Sequence, residues 1–535
     1  MTTRTKLLAP AIVDDAAAGA CRRFVDEQVP DRGGLAYWIL MLIGVGSLLP
    51  WNALITPIEY LKLRIAGSPF EASFESVFST SFTSISLVVL FSMQAFFLHT
   101  SVQKRIIGSL ILLLMVFIVL TAVTIAPLTW AEDGHLLEHL RDGADAQFAI
   151  LIACAMLAGV GQAILSGSAM GYAALFSLPN YLQAVSGGQG VAGCAITIGS
   201  LLVSLPGISS VCNDASADAA MRVAAPDSDA HAREVITAAA VYFGATCFIL
   251  VCCIVGFGVV ESLPFTRARK RLLVDDVTAS YSHNATVDPA ASSGPVDAPP
   301  SAQPASAASA IELESALNAD EPTADATSCG LLFSLWKWTF SVCLIYIVTI
   351  AIFPSLTSTI VAYPSANATA GVYESTGQCE WSHLFVPLGF VFFNVGDTIG
   401  RNMPSPLIIH SPNVIFAMTV ARVAFAPLFM LCHTEQGGGL QLGYFGANDA
   451  LALVIMSVFS VTNGWITSSI FVASQSVLEP HQRNPAATLL VLMLNTGIAI
   501  GAALSFVVRY LDCTPNATNA YSCNPFIAPP LNGTA

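Results

Sequence analysis

Eleven long apolar segments constrain most strongly what this 535-residue chain can fold into. Each is long enough to cross the roughly 30 Å hydrocarbon core of a bilayer as an α-helix. Only 10% of the residues are charged, against about 25% in a soluble domain, which excludes an ordinary soluble protein. The segments lie near residues 35–56, 76–98, 106–128, 147–176, 188–206, 235–260, 338–362, 382–402, 408–432, 447–472 and 487–509. The sequence therefore predicts an all-α polytopic membrane protein with about 11 transmembrane helices.

One long polar segment separates six of these helices from the other five. Residues 266–337 contain an Ala/Ser/Pro-rich stretch followed by acidic residues, with few aromatics and no apolar period, a composition typical of disorder. We expect a tail at 1–34, a six-helix bundle at 35–265, a disordered linker at 266–337, a five-helix bundle at 338–509 and a second tail at 510–535. Two bundles that rock about a central site are typical of secondary transporters.

The distribution of basic residues predicts the orientation in the membrane. Lys and Arg collect before the first helix, between the second and third, and after the sixth, at Arg267 to Arg271. Because such loops face the cytosol, we expect a cytosolic N-terminus and linker and an extracellular C-terminus. The glycosylation sequons at Asn367, Asn516 and Asn532 then lie outside, whereas the one at Asn284 lies inside and should stay unmodified. This arrangement favours the plasma membrane.

Four cysteines in predicted outer loops are candidates for disulfides: Cys212, Cys379, Cys513 and Cys523. Disulfides persist on that side of a membrane. Cys513 and Cys523 are close enough in sequence to pair, which leaves Cys212 with Cys379. Free thiols are the alternative, because spacing alone does not establish connectivity. No Cys/His spacing suggests a metal site, and no cofactor is expected.

The eighth apolar segment carries an acid and a base, Asp397 and Arg401, where a membrane helix ordinarily has neither. Their i, i+4 spacing places both side chains on one helical face, which Asn394 extends. A charge near the bilayer centre costs at least about 2.5–3.5 kcal/mol on insertion scales. The pair is therefore expected to face protein or a water-filled cavity. Either it contributes to a binding site, or it is an intrahelical ion pair that only stiffens the helix.

Two further segments carry polar residues at depth. In the first, Pro50 should kink the helix, and Trp51 and Asn52 follow it directly, so that Trp51 could stack on a planar ligand. An interfacial belt position is the alternative for Trp51. In the fourth, Gln162 and Ser166 share a face, and the Gln162 amide offers the donors and acceptors that a heterocycle requires. A hydrogen bond between helices is the alternative for Gln162.

Four motifs, in this order along most of the membrane-embedded chain, resemble the signatures of equilibrative nucleoside transporters. They are Pro50-Trp51-Asn52, Gly188-Gln189-Gly190-Val191-Ala192-Gly193, Phe393-Asn394-x-x-Asp397-x-x-Gly400-Arg401, and Arg422-x-x-Phe425-x-Pro427-Leu428-Phe429-x-Leu431-Cys432. The resemblance implies a fold related to the major facilitator superfamily, in a 6+5 arrangement of helices around a central cavity.

The resemblance also implies roles for individual residues. Asp397 and Arg401 would line the cavity and contact the ribose or base, and Trp51 would be a substrate-site residue. The glutamine of many relatives aligns with Ser166, while Gln162 lies one turn earlier, a difference that resembles parasite purine-salvage members. The full set of expected substrate-binding residues is Leu48, Trp51, Asn52, Gln162, Ser166, Phe353, Asn394, Asp397, Arg401 and Ile498.

The expected function is a membrane carrier for purine nucleosides or nucleobases, working by alternating access, either facilitative or proton-coupled. A carrier of another small polar solute, such as a sugar, is the alternative. Eleven segments do not fit a seven-span receptor, and no pair of aspartates or Ser/His pair within them suits an intramembrane hydrolase, so we expect no enzyme. The expected partners are a small-molecule substrate, the lipid bilayer and, if transport is coupled, protons. Nucleic acid is not expected, because Lys and Arg form only short clusters.

Overall fold

Helices make up the regular structure of the residues that the structure describes. The computed structural model describes residues 29–66, 74–97, 100–130, 144–176, 178–213, 229–272, 328–362, 376–403, 405–432, 448–479 and 482–512. Within those ranges, 11 helices are long and apolar enough to cross a membrane. The predicted all-α, multi-pass membrane fold is thereby confirmed.

We number these helices as spans 1 to 11 in chain order. Their helical cores are Leu35–Ile55, Phe74–Ser92, Val102–Trp130, Ala144–Leu175, Pro179–Asn213, Asp229–Ser262, Trp336–Ile352, Thr376–Arg401, Pro412–Met430, Asp449–Ser474 and Arg483–Asp512. Span 2 continues as a π-helical turn, Met93–Phe97, and span 9 is interrupted by a 3₁₀ turn, Arg422–Ala424. Short helices Ile58–Ile65 and Ser328–Ser334 lie outside the spans.

The two largest errors in the predicted boundaries are at the start of span 5 and the end of span 7. Span 5 begins at Pro179 and not near 188, so the Gly188–Gly193 motif lies inside the helix and does not open it. Proline is favoured in the first turn of a helix, where its missing N–H costs nothing. Span 7 ends at Ile352 and not near 362, because Pro354 forces Phe353 into an extended conformation, with φ −107° and ψ 127°.

The spans on either side of residues 273–327 pack mainly within their own group. Span 1 contacts spans 4, 5 and 6, span 3 contacts spans 4 and 6, and span 2 contacts span 4. In the second group, span 7 contacts spans 9, 10 and 11, and span 8 contacts span 10. The groups meet where span 5 lies against spans 8 and 10 and where spans 2 and 4 lie against span 11. Span 5 is thus central to the contact between them.

Glycines allow the closest helix crossings. A methyl group on Gly188 of span 5 would overlap the carbonyl oxygen of Met41 in span 1. A methyl group on Gly464 of span 10 would overlap the carbonyl oxygen of Asp397 in span 8. Only residues without a side chain let two backbones approach so closely. These crossings hold span 1 against span 5 and span 10 against span 8. Spans 5 and 8 carry polar residues that are described below.

A disulfide joins Cys212, in the last turn of span 5, to Cys379, in the first turn of span 8. This is one of the two pairings considered from the sequence. The other candidates, Cys513 and Cys523, lie outside the described residues, as do the sequons at Asn367, Asn516 and Asn532.

Candidate functional site

The acid and base of span 8 form a direct ion pair inside the protein. Arg401 Nε donates a hydrogen bond of 2.6 Å to Asp397 Oδ2. Asp397 is 7% exposed and Arg401 6%, so neither side chain faces lipid. A buried pair of this kind is favourable only where further hydrogen bonds satisfy its remaining atoms. The neighbouring spans provide them.

The second oxygen of the Asp397 carboxylate is bound by span 10. Asn463 Nδ2 donates to Asp397 Oδ1 over 2.7 Å, and Asn463 is 2% exposed. The amide oxygen of Asn463 accepts a hydrogen bond of 2.7 Å from Thr349 Oγ1 of span 7. Both carboxylate oxygens therefore have donors, and spans 7, 8 and 10 are tied together at this depth.

The Arg401 guanidinium connects the two groups of spans. Its Nη2 donates to the Tyr346 hydroxyl of span 7 over 2.7 Å. Its Nη1 reaches three acceptors in span 5: Ser186 Oγ at 3.2 Å, the Ser186 carbonyl at 3.4 Å and Gln189 Oε1 at 3.4 Å. A second link lies beside it, where Gln183 Nε2 donates to the carbonyl oxygens of Arg401 (3.1 Å) and Met403. One arginine thus bonds to helices from both sides of residues 273–327.

Arg422 is the second buried arginine of the network. It is 2% exposed, and its Nη2 donates to Thr349 Oγ1 over 3.1 Å and lies 3.5 Å from Asn463 Oδ1. Its Nη1 donates to the Phe459 carbonyl over 2.7 Å and to Thr462 Oγ1. The guanidinium carbon lies 4.5 Å from the centre of the Phe459 ring, a cation–π distance. Two guanidiniums therefore share one carboxylate, the first directly and the second through Asn463.

The fourth span uses its two polar residues differently. Gln162 Oε1 accepts a hydrogen bond of 3.1 Å from the backbone N–H of Trp51, next to Pro50 in span 1. Proline disturbs the helical hydrogen bonds around it, and here a side chain of another helix provides the acceptor. Gln162 thus makes the interhelical contact that the sequence left as an alternative. Ser166 Oγ instead accepts from Gln189 Nε2 over 3.3 Å, which links span 4 to the neighbourhood of Arg401.

The remaining predicted residues are divided among separate contacts. The Trp51 ring lies 4.7 Å from the Phe82 ring, centre to centre. The Phe353 ring stacks on Phe393 at 3.8 Å, just beyond the end of span 7. Asn394 Nδ2 donates to the Phe390 carbonyl of its own helix over 3.0 Å.

Eight of the ten expected residues are partly exposed: Leu48, Trp51, Asn52, Gln162, Ser166, Phe353, Asn394 and Ile498. Ile498 packs against the main apolar core. Asn52 Nδ2 is buried and has no hydrogen-bond partner among the described residues. The structure therefore joins Asp397, Arg401 and, through Gln189, Ser166. Gln162 bonds to span 1, and the aromatic residues belong to other contacts.

The set of expected site residues lacked five members of this network: Ser186, Gln189, Tyr346, Thr349 and Asn463. Each is a neutral polar residue within an otherwise apolar stretch of helix, as Asn394 is.

Comparison with known proteins identifies the family of this chain. Residues 152–510 match the model of the family described as nucleoside transporter. The chain belongs to the nucleoside transporter family. It is 26% identical to human equilibrative nucleoside transporter 2, over 89% of this chain and 97% of that protein. It is 24% identical to human equilibrative nucleoside transporter 1, over 90% and 98%. Arabidopsis thaliana equilibrative nucleotide transporter 8 is 22% identical, over 90% and 97%.

Membership of this family makes the chain a membrane transporter and not an enzyme. Among solved structures, it resembles the human organic anion transporter MFSD10 with a TM-score of 0.46 and 14% identity, over 90% of this chain and 94% of that one. It resembles the proton:xylose symporter XylE with a TM-score of 0.45 and 11% identity, over 88% and 86%. These likenesses are too distant to carry a functional argument.

Proposed function

We propose that this transporter carries purine nucleosides or nucleobases across the plasma membrane by alternating access. The observation that supports this most is the buried Asp397–Arg401 pair, which bonds to spans 5, 7 and 10. A charged pair buried between the spans of a transporter marks a substrate pathway by default, because its burial is otherwise unfavourable. The equilibrative nucleoside transporters among its relatives supply the substrate class.

In this proposal the polar network binds the hydrophilic part of the substrate. Asp397 accepts hydrogen bonds from ribose hydroxyls or ring N–H groups, and Arg401, which is bonded to it, donates to substrate acceptors. Trp51 and the apolar residues Leu48, Phe353 and Ile498 provide the surface for the base.

Alternating access then follows from the two groups of spans. Residues 35–265 and 338–509 act as two bundles that rock about the network, with residues 266–337 as a cytosolic linker. The contacts of Arg401 with Ser186 and Gln189 lie between the bundles and would break and re-form as they move. We place the N-terminus in the cytosol and the C-terminus outside.

We propose facilitative transport and not proton coupling. Both oxygens of Asp397 already accept hydrogen bonds, at 2.6 Å from Arg401 and 2.7 Å from Asn463. Because donors already occupy both oxygens, we assign this carboxylate to substrate binding and not to proton transfer.

Uptake in cells that lack their own nucleoside carriers tests the proposal. We expect saturable uptake of labelled adenosine that excess inosine or hypoxanthine inhibits and excess glucose does not. Uptake no greater than in cells without the protein, or inhibition by glucose alone, would contradict it.

A further inference from the structure

Gln189 is a partly exposed residue in an otherwise buried part of span 5. From Tyr181 to Gly190, every residue is buried except Gln189, which is partly exposed. The glycines on either side, Gly188 and Gly190, leave the glutamine side chain without bulky neighbours in its own helix.

The contacts of Gln189 show which way it faces. Its Nε2 lies 3.3 Å from Ser47 Oγ of span 1 and 3.3 Å from Ser166 Oγ of span 4. Its Oε1 accepts from Arg401 Nη1 of span 8 over 3.4 Å. A side chain that contacts three other spans at its tip cannot point to lipid. Its exposed surface therefore lies in the interior, between spans 1, 4 and 8.

All the hydrogen bonds of the Gln189 side chain are long. N–H···O bonds in proteins cluster near 2.9–3.0 Å. All three contacts of the Gln189 amide are 3.3 or 3.4 Å, whereas Asp397 is bound at 2.6 and 2.7 Å. Gln189 can thus exchange its protein partners for a ligand with little loss of hydrogen-bond free energy. The shorter hydrogen bonds of Asp397 hold that carboxylate in a fixed position.

Gln162, the glutamine expected to contact the substrate, is not available in the same way. Its amide oxygen is the acceptor for the Trp51 N–H. Gln189 is the amide that lies next to Arg401, and Ser166 is already its neighbour.

We propose that Gln189 is a specificity-determining residue that binds the hydrogen-bonding edge of a nucleobase. Its Nε2 donates to a ring nitrogen or carbonyl oxygen, and its Oε1 accepts from an adjacent amino or N–H group. Nucleobases present donor and acceptor side by side, which matches one amide. The inference rests on the proposed function, because it assigns a role within the same site.

The test combines a substitution that removes the amide of Gln189 with a ligand that lacks the group this amide would bind. Gln189→Leu keeps the approximate size of the side chain and removes its hydrogen bonds. Purine riboside lacks the 6-amino group of adenosine and is otherwise the same molecule. For the wild type we expect kcat/KM for uptake to be about tenfold higher for adenosine than for purine riboside, since a site built around a hydrogen bond rejects the analogue without it. For Gln189→Leu we expect the ratio to fall close to one. Gln189→Met provides the same readout if the leucine variant does not reach the surface.

Gln183→Leu is the matched control from the same span. Gln183 is buried and donates to the carbonyl oxygens of Arg401 and Met403, so it holds helices together. Its substitution should lower uptake of both ligands alike and preserve their ratio. An unchanged ratio in the Gln189 variants, an equal change in the control, or no discrimination by the wild type would overturn the inference while the proposed function stands. No nucleoside uptake by the wild type would overturn both.

Discussion

Removing the carboxylate of Asp397 should destabilise the folded protein severely. Asp397 is 7% exposed and is the acidic group that Arg401 binds directly and Arg422 reaches through Asn463. In Asp397→Asn, two buried guanidiniums lose their shared counter-charge. Breaking a buried ion pair by removing one partner costs about 3–5 kcal/mol, because the other charge stays desolvated.

The double variant Asp397→Asn/Arg401→Gln separates charge from packing. Removing Arg401 as well eliminates one of the two uncompensated charges, so we expect part of the lost stability to return, while Arg422 stays without its shared counter-charge. The measurement is the temperature at which half of the detergent-solubilised protein remains monodisperse in fluorescence-detected size-exclusion chromatography. We expect the order wild type, double variant, Asp397→Asn, from most to least stable. A double variant less stable than Asp397→Asn, or an Asp397→Asn variant as stable as the wild type, would refute the reasoning.

Three other predictions concern packing, the disulfide and coupling. Gly464→Ala should lower the amount of folded protein at the cell surface, because its methyl group overlaps a backbone carbonyl at a cost of about 1–3 kcal/mol. The control Gly389→Ala should not, because the nearest atom to its methyl group is Met456 Cε, 4.0 Å away. Equal surface levels of the two variants would contradict this prediction. After cleavage at a protease site inserted within 273–327, the two fragments of the wild type should migrate as one band on a denaturing gel until the Cys212–Cys379 disulfide is reduced. In Cys212→Ser they should separate without reductant. Wild-type fragments that separate without reductant would exclude the disulfide. Adenosine uptake should not respond to an imposed pH gradient, and a gradient-driven increase would show proton coupling.

The sequence predicts the spans well because length and apolarity are local properties. The errors arise where polar residues lie inside a helix, as Gln183 and Ser186 do in the first turns of span 5. Hydropathy alone makes such a turn resemble a loop, although its polar groups have partners on span 8. The end of span 7 at Ile352 was readable from Pro354, which restricts the residue before it.

The site was predicted in part for the same reason. Asp397 and Arg401 stand out because charges are rare in membrane helices, and their spacing fixes their mutual contact. Asn463 and Tyr346 do not stand out, because a single neutral polar residue acquires a role only from the helix that packs against it. The two uses of glutamine in spans 4 and 5 depend on tertiary contacts, since Gln162 and Gln189 look alike in sequence and bind different groups.

Binding of labelled adenosine to the purified protein tests the central claim most directly, because it needs no assumption about the transport cycle. We predict saturable binding to the wild type that unlabelled inosine displaces, and binding at least about tenfold weaker to the folded double variant Asp397→Asn/Arg401→Gln, which has lost the charged hydrogen bonds to the ligand. Equal affinity in the two proteins would show that the buried pair has a purely structural role and would contradict the account.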